Sequence, residues 1–251
     1  MRKKFIVVGA SSGIGRAIAE ELLKQGHQVA LLARRDKVLK EVANTYNTDP
    51  KVRNAITVKY DSILFQNADL VFNKILKEMG EIDGIVYASG IMHNVESNEF
   101  NTEKDIQMLN TNLLGAVAIL NPAANYFQSK KSGIIAGISS IAGDRGRRGA
   151  PVYNTSKAGL NTYLEALRNR LAVKGVQVVT IKPGFVSTDM LKDAKVPEKG
   201  LLKPITPQDA ARFIIKKIES GAEEFYVPGI WALVGIIIRN IPSFIFRRLN
   251  L

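Results

Sequence analysis

The chain has 251 residues, of which 46% are hydrophobic and 23% are charged, and these values are typical of a globular protein with one large core. It contains no cysteine, which excludes disulfide bonds, thiol catalysis and thiolate metal sites. Its two histidines, His27 and His93, argue against a histidine-based metal site, so we expect no metal. The formal net charge of +12 indicates acidic partners, but the basic residues are scattered without interleaved aromatic residues, which argues against nucleic-acid binding.

The N-terminus combines basic residues at positions 2–4 with a short apolar run at positions 5–8. This pattern differs from a secretion signal, because the apolar run is too short and leads into glycines rather than into a cleavage site. We interpret the run as a buried parallel strand and expect a cytoplasmic protein.

A glycine-rich turn follows this strand and leads into a segment with helical periodicity that ends near Gly26. Strand, turn and helix in this order are typical of a dinucleotide site. The glycines let the backbone approach a pyrophosphate, and the N-terminus of the helix offers free N–H groups. A tight turn without a ligand is the alternative interpretation. The candidate cofactor contacts in the turn are Gly9, Ser11, Ser12, Gly13, Ile14 and Gly15.

The next predicted strand, Gln28–Ala33, is followed directly by Arg34 and Arg35. In this architecture an acidic residue after the strand binds the ribose diol of NAD, whereas an arginine accommodates the extra phosphate of NADP. Two adjacent guanidinium groups suit a phosphate dianion. Asp36 is evidence for NAD, but it lies beyond the strand end and is better interpreted as the cap of a helix over 37–46. The sequence therefore predicts NADP(H).

The rest of the chain alternates apolar runs with helical patterns. This alternation predicts an α/β fold with a doubly wound, Rossmann-like parallel sheet of about seven strands and helices on both faces. We expect one domain over residues 1–228 and a hydrophobic, basic tail over 229–251. The remaining predicted strands are 55–59, 82–87, 133–139, 176–181 and 223–227. The remaining predicted helices are 65–79, 105–127 and 153–174. The apolar stripe of the first of these helices is Leu70, Val71, Ile75 and Leu76.

Ser140 lies thirteen positions before Tyr153, and Lys157 lies four positions after that tyrosine. On a helix, Tyr153 and Lys157 share one face, one turn apart. An ammonium group beside a phenol favours the phenolate and lowers its pKa from about 10. Such a phenol, with a hydroxyl nearby, can protonate a carbonyl oxygen or accept a proton from an alcohol. The same spacing also occurs on helices where it has no chemical role.

In their order and spacing these motifs resemble the short-chain dehydrogenase/reductase family over about residues 4–228. The resemblance implies catalysis by Ser140, Tyr153 and Lys157, with Asn112 anchoring a water of the proton relay. It implies hydride transfer from NADPH to a carbonyl carbon, while Ser140 holds the oxygen and Tyr153 protonates it. Arg34 matches the arginine of the NADP-preferring branch, and the other implied cofactor contacts are Arg35, Asp61, Ser62, Gly90, Tyr153, Lys157, Pro183, Gly184, Val186 and Thr188.

One motif departs from the family pattern. Where the family usually has Asn-Asn-Ala-Gly after the fourth strand, this chain has Tyr87, Ala88, Ser89 and Gly90. Gly90 keeps backbone access to the cofactor ribose. We expect other polar groups or water to satisfy the buried backbone atoms that the asparagines would otherwise contact.

Between Ser140 and Tyr153, the loop at 144–149 carries Arg145, Arg147 and Arg148. These arginines could bind an anionic group of a substrate, such as a phosphate, coenzyme A or a carrier-protein surface. A solvated loop is the alternative, and the sequence favours neither.

The tail has an apolar run at 230–238, followed by basic residues at 239, 247 and 248. Nine helical residues span about 13 to 14 Å, well short of the roughly 30 Å of a bilayer core, so the tail does not cross a membrane. It could lie at the membrane surface, cover the substrate cleft, or pack against the core or a neighbouring subunit.

The leading functional hypothesis is an NADPH-dependent reductase of a hydrophobic, lipid-like carbonyl compound, because segment 189–204 and the tail are rich in apolar residues. A 3-oxoacyl-thioester reductase is the nearest alternative within the same class. A non-catalytic NADP-sensing protein and a membrane scaffold are alternatives from other classes. The family resemblance also implies a homodimer or homotetramer formed through the long helices.

Overall fold

The computed structural model describes residues 1–49, 52–96, 98–192 and 196–249. The strands are β1 Lys4–Val8, β2 Gln28–Ala33, β3 Ala55–Lys59, β4 Gly84–Tyr87, β5 Gly133–Ile138, β6 Val176–Pro183 and β7 Glu224–Val227. They form one parallel seven-stranded sheet in the order β3-β2-β1-β4-β5-β6-β7. The predicted doubly wound sheet is confirmed. The strand order reverses between β1 and β4, where such sheets open a crevice for ligands.

Helices cover both faces of the sheet. Successive residues of a strand point to opposite faces, so a strand of apolar residues presents apolar side chains on both. Phe5 and Val7 of β1 pack in one apolar cluster, whereas Ile6 and Val8 pack in the other. The helices are α1 Gly13–Lys24, α2 Asp36–Tyr46, α3 Ala68–Met79, α4 Thr102–Leu109, α5 Gly115–Lys130, α6 Pro151–Leu171, α7 Pro207–Glu219, α8 Trp231–Asn240 and α9 Ser243–Phe246. The first cluster includes residues of α1, α2 and α7, and the second includes residues of α3, α5 and α6.

Two local predictions are wrong. Asp36 does not cap α2: it is the first residue of that helix, and its Oδ2 lies 2.7 Å from the Nζ of Lys40, one turn later. Leu70 is not part of the apolar stripe of α3, since 71% of it is exposed. The helix instead turns Phe72 and Ile75 inward, together with Ala68 and Met79.

The long helix predicted over 105–127 is interrupted. A π-helical turn, Asn110–Leu114, separates α4 from α5. The turn packs closely against the sheet, because a Cβ on Gly115 would lie 2.7 Å from the carbonyl oxygen of Ser62 and 2.8 Å from the Tyr87 hydroxyl. The fully buried Asn112 lies within this turn. A π turn inside a helix often marks a functional position.

The tail packs on the domain through one face of α8. Trp231 is buried over Gly184, where a Cβ would collide with the indole, and its ring contacts Phe185 edge-on at 4.9 Å. Gly235 is buried as well, and a Cβ there would lie 2.8 Å from the Tyr226 hydroxyl. Within the described ranges, no helix is both long enough and apolar enough to cross a membrane.

Candidate active site

The glycine turn connects β1 to α1 at the reversal of strand order. Gly9 and Gly13 have φ values of +90° and +56°, which favour glycine. A Cβ on Gly9 would lie 2.7 Å from the backbone nitrogen of Ser89, and one on Gly15 would lie 2.9 Å from the Cβ of Ala88. The backbone therefore forms a close cradle against the end of β4. The free N–H groups at the start of α1 open onto this cradle, which suits a pyrophosphate.

Arg35 lies over this turn. Its guanidinium donates hydrogen bonds to the hydroxyl of Ser11, at 2.9 and 3.1 Å, and to that of Ser12, at 2.5 Å. Arg34, the residue assigned from the family pattern, has an exposed side chain. The structure therefore brings Arg35, rather than Arg34, to the glycine turn.

Tyr153 and Lys157 lie one turn apart on α6, and both are buried. The helix begins with Pro151, a residue suited to the first helical position. This start sets the position of Tyr153 in the first turn of the helix. Ser140 follows β5 and forms a side-chain hydrogen bond with Tyr153. The Nζ of Lys157 donates to the carbonyl oxygen of Ile138 at 2.9 Å and lies 5.8 Å from the centroid of the tyrosine ring. The structure thus brings together the three predicted catalytic side chains.

Burial is the main cause of the pKa shifts of Tyr153 and Lys157. It raises the pKa of Tyr153 above 10.0, although the hydrogen bond with Ser140 and the charge of Arg147 lower that pKa. It also lowers the pKa of Lys157 from 10.5 to about 8. The expectation that Lys157 lowers the pKa of Tyr153 is therefore wrong for this structure, in which the ammonium group donates to Ile138 and the phenol is desolvated.

Asn112 and Lys157 both lie beside Gly90. A Cβ on Gly90 would lie 3.4 Å from both the Oδ1 of Asn112 and the Nζ of Lys157. The asparagine is held rigidly, since its Oδ1 accepts from the backbone of Ile91 at 2.8 Å and its Nδ2 donates to Ile91 and Ser156 at 2.9 and 3.0 Å. The π turn thus brings Asn112 to the strand end where Lys157 lies.

The segment after β6 returns to the glycine turn. Pro183 ends the strand, and Gly184 N–H donates to Val227 at 2.9 Å. Val186 is buried, and the Cγ2 of Thr188 would lie 3.3 Å from a Cβ on Gly13. A cavity of about 450 Å³ opens here, lined by Gly13, Ser187, Thr188, Asp189, Leu191, Lys192, Val196, Pro204 and Pro207.

Residues 3–199 match the short chain dehydrogenase family. The chain belongs to the short-chain dehydrogenase/reductase family. It is 33% identical to the human 3-oxoacyl-[acyl-carrier-protein] reductase over 195 residues, which cover 78% of this chain and 80% of that protein. It is 31% identical over 214 residues to an uncharacterized oxidoreductase of Staphylococcus epidermidis, covering 85% and 90% of the two chains.

Solved structures of the family are similar over most of the chain. A short-chain dehydrogenase from Streptomyces avermitilis has a TM-score of 0.81 at 22% identity, with 94% of this chain and 93% of that chain covered. ElxO with NADP bound has a TM-score of 0.77 at 25% identity, covering 86% and 91%. The protein is thus an oxidoreductase with the Rossmann-like fold of its family.

The departure from the family's asparagine motif is accommodated by Tyr87. Its ring is fully buried, and its hydroxyl donates to the carbonyl oxygen of Thr111 at 2.5 Å, inside the π turn. Ala88 N–H continues the sheet by donating to Val8 at 2.8 Å. Tyr87 therefore supplies a protein partner for a backbone carbonyl of the π turn.

Two predicted contacts after β3 differ in their surroundings. Asp61 lies partly exposed at the carboxyl end of the sheet, where its Oδ1 accepts from the backbone of Ile63 at 3.3 Å. Ser62 is buried, with its backbone carbonyl against Gly115 and its hydroxyl bonded to Tyr87. The Ser62 hydroxyl thus supports the end of β4, and a cofactor contact of Ser62 stays a prediction.

Apolar side chains form a wall beside Tyr153, the predicted catalytic tyrosine. Met190 lies with its Sδ 4.0 Å from the Tyr153 hydroxyl. Tyr153 also packs with Met108 and Ala142, and the wall is completed by Ile91, Met92, Ala150 and Val152. The sequence indicated Met190 through its place in an apolar segment, but Met92 and Met108 carried no pattern that pointed to the site. The Nε2 of His93 lies 2.9 Å from the Oε1 of Gln107.

The arginine loop contacts the tail. Arg145 donates to the backbone carbonyl of Ile238 at 2.7 Å and to that of Ile241, and its guanidinium lies 3.9 Å from the Phe246 ring. Arg148 is exposed, and it donates to the carbonyl of Arg247 at 3.0 Å. Both arginines thus donate part of their hydrogen bonds to the tail, a contact that neither alternative predicted.

Proposed function

We propose that this protein reduces the carbonyl group of a hydrophobic, lipid-like substrate with NADPH, or oxidises the matching alcohol. Ser140, Tyr153 and Lys157 act directly, and Asn112 supports the proton path. One observation carries the proposal: a buried tyrosine bonds with a serine and packs one turn from a buried lysine, at the strand ends that carry the glycine cradle. Family membership supports the same reaction class.

The residues around the glycine turn fit a dinucleotide. Gly9, Gly13 and Gly15 leave room for close backbone approach, and the N-terminus of α1 offers N–H donors. Arg35, already held by Ser11 and Ser12, suits the extra phosphate of NADP. When bound, NADPH supplies a hydride to the carbonyl carbon and leaves as NADP. The further contacts that we propose are Ile14, Arg34, Asp61, Gly90, Tyr153, Lys157, Pro183, Gly184, Val186 and Thr188.

The chain's own groups handle the oxygen of the substrate. The Ser140 hydroxyl donates a hydrogen bond to the carbonyl oxygen, and Tyr153 transfers its phenolic proton to that oxygen as negative charge develops there. Lys157 and Asn112, which both lie beside Gly90, restore the proton to the tyrosine through solvent. In the oxidative direction Tyr153 accepts the proton from the alcohol.

The apolar wall around Tyr153 supports a hydrophobic substrate, because the Sδ of Met190 lies 4.0 Å from the reacting hydroxyl and the other side chains of the wall belong to the apolar cluster of Tyr153. The second candidate is a 3-oxoacyl-thioester reductase, favoured by the similarity to the human 3-oxoacyl-[acyl-carrier-protein] reductase. NADPH oxidation measured with long-chain ketones, steroids and 3-oxoacyl thioesters distinguishes the two candidates, since the leading proposal requires turnover of a substrate without a thioester.

Replacing Tyr153 with Phe tests the proposed chemistry. The variant keeps the buried ring and loses only the proton donor, so we expect at least a hundredfold lower kcat with little change in the Kd for NADPH. Turnover is measured by NADPH absorbance and binding by NADPH fluorescence. Retained turnover would contradict the role of Tyr153. NADPH binding by the wild-type protein without turnover of any carbonyl would instead support the non-catalytic NADP-sensing alternative.

We propose further that residues 1–228 form the catalytic domain and that the tail, residues 229–251, contacts an anionic membrane surface peripherally. The face of α8 opposite Trp231 exposes Leu233, Ile236 and Ile237, and the tail continues with the exposed Phe244, Ile245 and Leu249 beside Arg239, Arg247 and Arg248. Such a combination suits anionic lipid, as does the net charge of +12. A cytoplasmic location stays a prediction.

We also propose a homodimer or homotetramer formed through α4, α5 and α6, as is typical of the family. Support comes from Ile106 and Leu114, apolar residues that are about half exposed on this helical segment, at 51% and 45%. Light scattering that returned only the monomer mass of 27.6 kDa would contradict this assembly.

A further inference from the structure

Arg147 differs from the other two arginines of its loop. Arg145 and Arg148 donate to carbonyls of the tail, whereas the Nε of Arg147 is buried without a hydrogen-bond partner in the described ranges. A buried donor that lacks a partner destabilises the folded protein, so such groups call for an explanation. The unused donor makes Arg147 a candidate for contact with a ligand.

The loop that carries Arg147 is anchored on both sides. Asp144 accepts from Lys182 at 2.9 Å and from the Tyr226 hydroxyl at 2.6 Å. Further along, Asn154 donates to the backbone carbonyl of Arg145 at 2.9 Å, directly after the catalytic tyrosine. These contacts and the tail fix the loop, so Arg147 is held in position rather than extended into solvent.

Arg147 also lies within electrostatic range of Tyr153. Its charge lowers the pKa of the phenol, and burial lowers the pKa of the guanidinium itself. The nearest carboxylate along the chain, Asp144, is occupied by Lys182 and Tyr226. Across the described part of the chain no carboxylate pairs with Arg147. A desolvated cation beside the reacting group, without a counter-ion, favours an anion supplied from outside the protein.

We propose that Arg147 binds an anionic group, such as a carboxylate or phosphate, of a substrate that presents its carbonyl to Tyr153. This proposal rests on the proposed reductase function and names its substrate class. The Sδ of Met190 lies 4.0 Å from the same hydroxyl, and Met92 and Val152 pack against the apolar cluster that includes Tyr153. The substrate is therefore an amphiphile, with an anionic group on one side of the carbonyl and an apolar chain on the other.

The test uses 3-oxooctanoate and its methyl ester, which differ in the charge near the carbonyl and by one methyl group. Steady-state NADPH oxidation gives kcat/KM for each compound with wild type, Arg147→Gln and Arg147→Lys. We expect Arg147→Gln to lower the ratio of acid to ester by roughly tenfold or more, as a charge-assisted hydrogen bond is lost. The ratio of acid to ester for Arg147→Lys should lie between the ratios for wild type and Arg147→Gln. Any effect of the charge on Tyr153 itself cancels in this ratio.

Arg148→Gln is the matched control, since it removes the same charge from an exposed position of the same loop. Its ratio should equal that of wild type. An unchanged ratio in Arg147→Gln, or an equal fall in Arg148→Gln, would overturn the proposal while leaving the reductase function in place.

If the protein turns over neither the acid nor the ester, calorimetry with 3-oxooctanoate in the presence of NADP still tests the anion site separately from the reductase function. Binding to the wild type that is lost in Arg147→Gln would support the anion site even though the reductase function failed. Equal binding to both proteins, or no binding to the wild type, would overturn the anion site.

Discussion

Arg34 and Arg35 are neighbours in sequence, but their surroundings differ. Both side chains are exposed, but within the described residues Arg35 is the one that donates to the Ser11 and Ser12 hydroxyls of the glycine turn. We therefore expect Arg35 to bind the extra phosphate that distinguishes NADP from NAD, although the family pattern assigned this contact to Arg34. A guanidinium fixed by two hydroxyls loses little entropy when it binds a phosphate.

Replacing Arg35 with Ala should raise the KM for NADPH by roughly tenfold to a hundredfold and leave the KM for NADH nearly unchanged, because a charge-assisted contact with the extra phosphate is lost. Initial rates with each cofactor measure the effect. Arg34→Ala is the matched control and should change the KM for NADPH less. A larger effect at Arg34 would return the phosphate contact to that residue.

At the scale of elements, α8 is bound to the domain on one face and exposed on the other. Trp231 and Gly235 face Gly184 and Tyr226, and both contacts need the small size of glycine. Because α8 packs beside the 3₁₀ turn that follows Ser140, and Arg145 donates to its last carbonyls, the tail supports the substrate side of the active site. The tail is therefore a packed part of the domain near Ser140.

The triple replacement of Leu233, Ile236 and Ile237 with Ser should abolish binding to vesicles of phosphatidylcholine and phosphatidylserine, because it removes the exposed apolar face. Sedimentation with vesicles at low and high salt measures binding, which should weaken as salt screens the arginines. The corresponding replacement of Leu70, Phe100 and Val173, which are exposed elsewhere, is the control.

Unchanged vesicle binding in the α8 variant would contradict membrane contact through this face. A simultaneous drop in oligomer mass by light scattering would assign the face to a second copy of the chain instead.

At the scale of the whole molecule, the buried charges of the site cost stability. Burial lowers the pKa of Lys157 from 10.5 to about 8, so the charged form is less favourable in the folded protein than in the unfolded chain. This penalty is fully present below pH 8 and disappears as the pH rises towards 10.5. The wild-type protein should gain stability from Lys157 deprotonation over that interval.

Lys157→Met keeps the aliphatic stem and removes the charge. The difference in free energy of unfolding, variant minus wild type, should be larger at pH 7 than at pH 10, as measured by urea unfolding without cofactor. Loss of the hydrogen bond to Ile138 affects both pH values, so the change in the difference is the informative quantity. A difference independent of pH would contradict the lowered pKa.

The sequence by itself determined the sheet, the glycine turn and the positions of Ser140, Tyr153 and Lys157. These features depend on short-range patterns: apolar runs that form strands, glycines that permit tight turns, and helical spacing that puts two side chains on one face. Their order along the chain then fixed the topology, since parallel strands need helical crossovers between them.

Only the tertiary structure decided what depends on contacts between distant segments. Arg145 meets Ile238 across 93 positions, and Tyr87 meets Thr111 across 24, so neither partner can be read from a local pattern. The same holds for Arg35, which reaches back to the glycine turn, and for the pKa of Tyr153, which burial raises. Packing determines which donors find partners and which, like the Nε of Arg147, are left for a ligand.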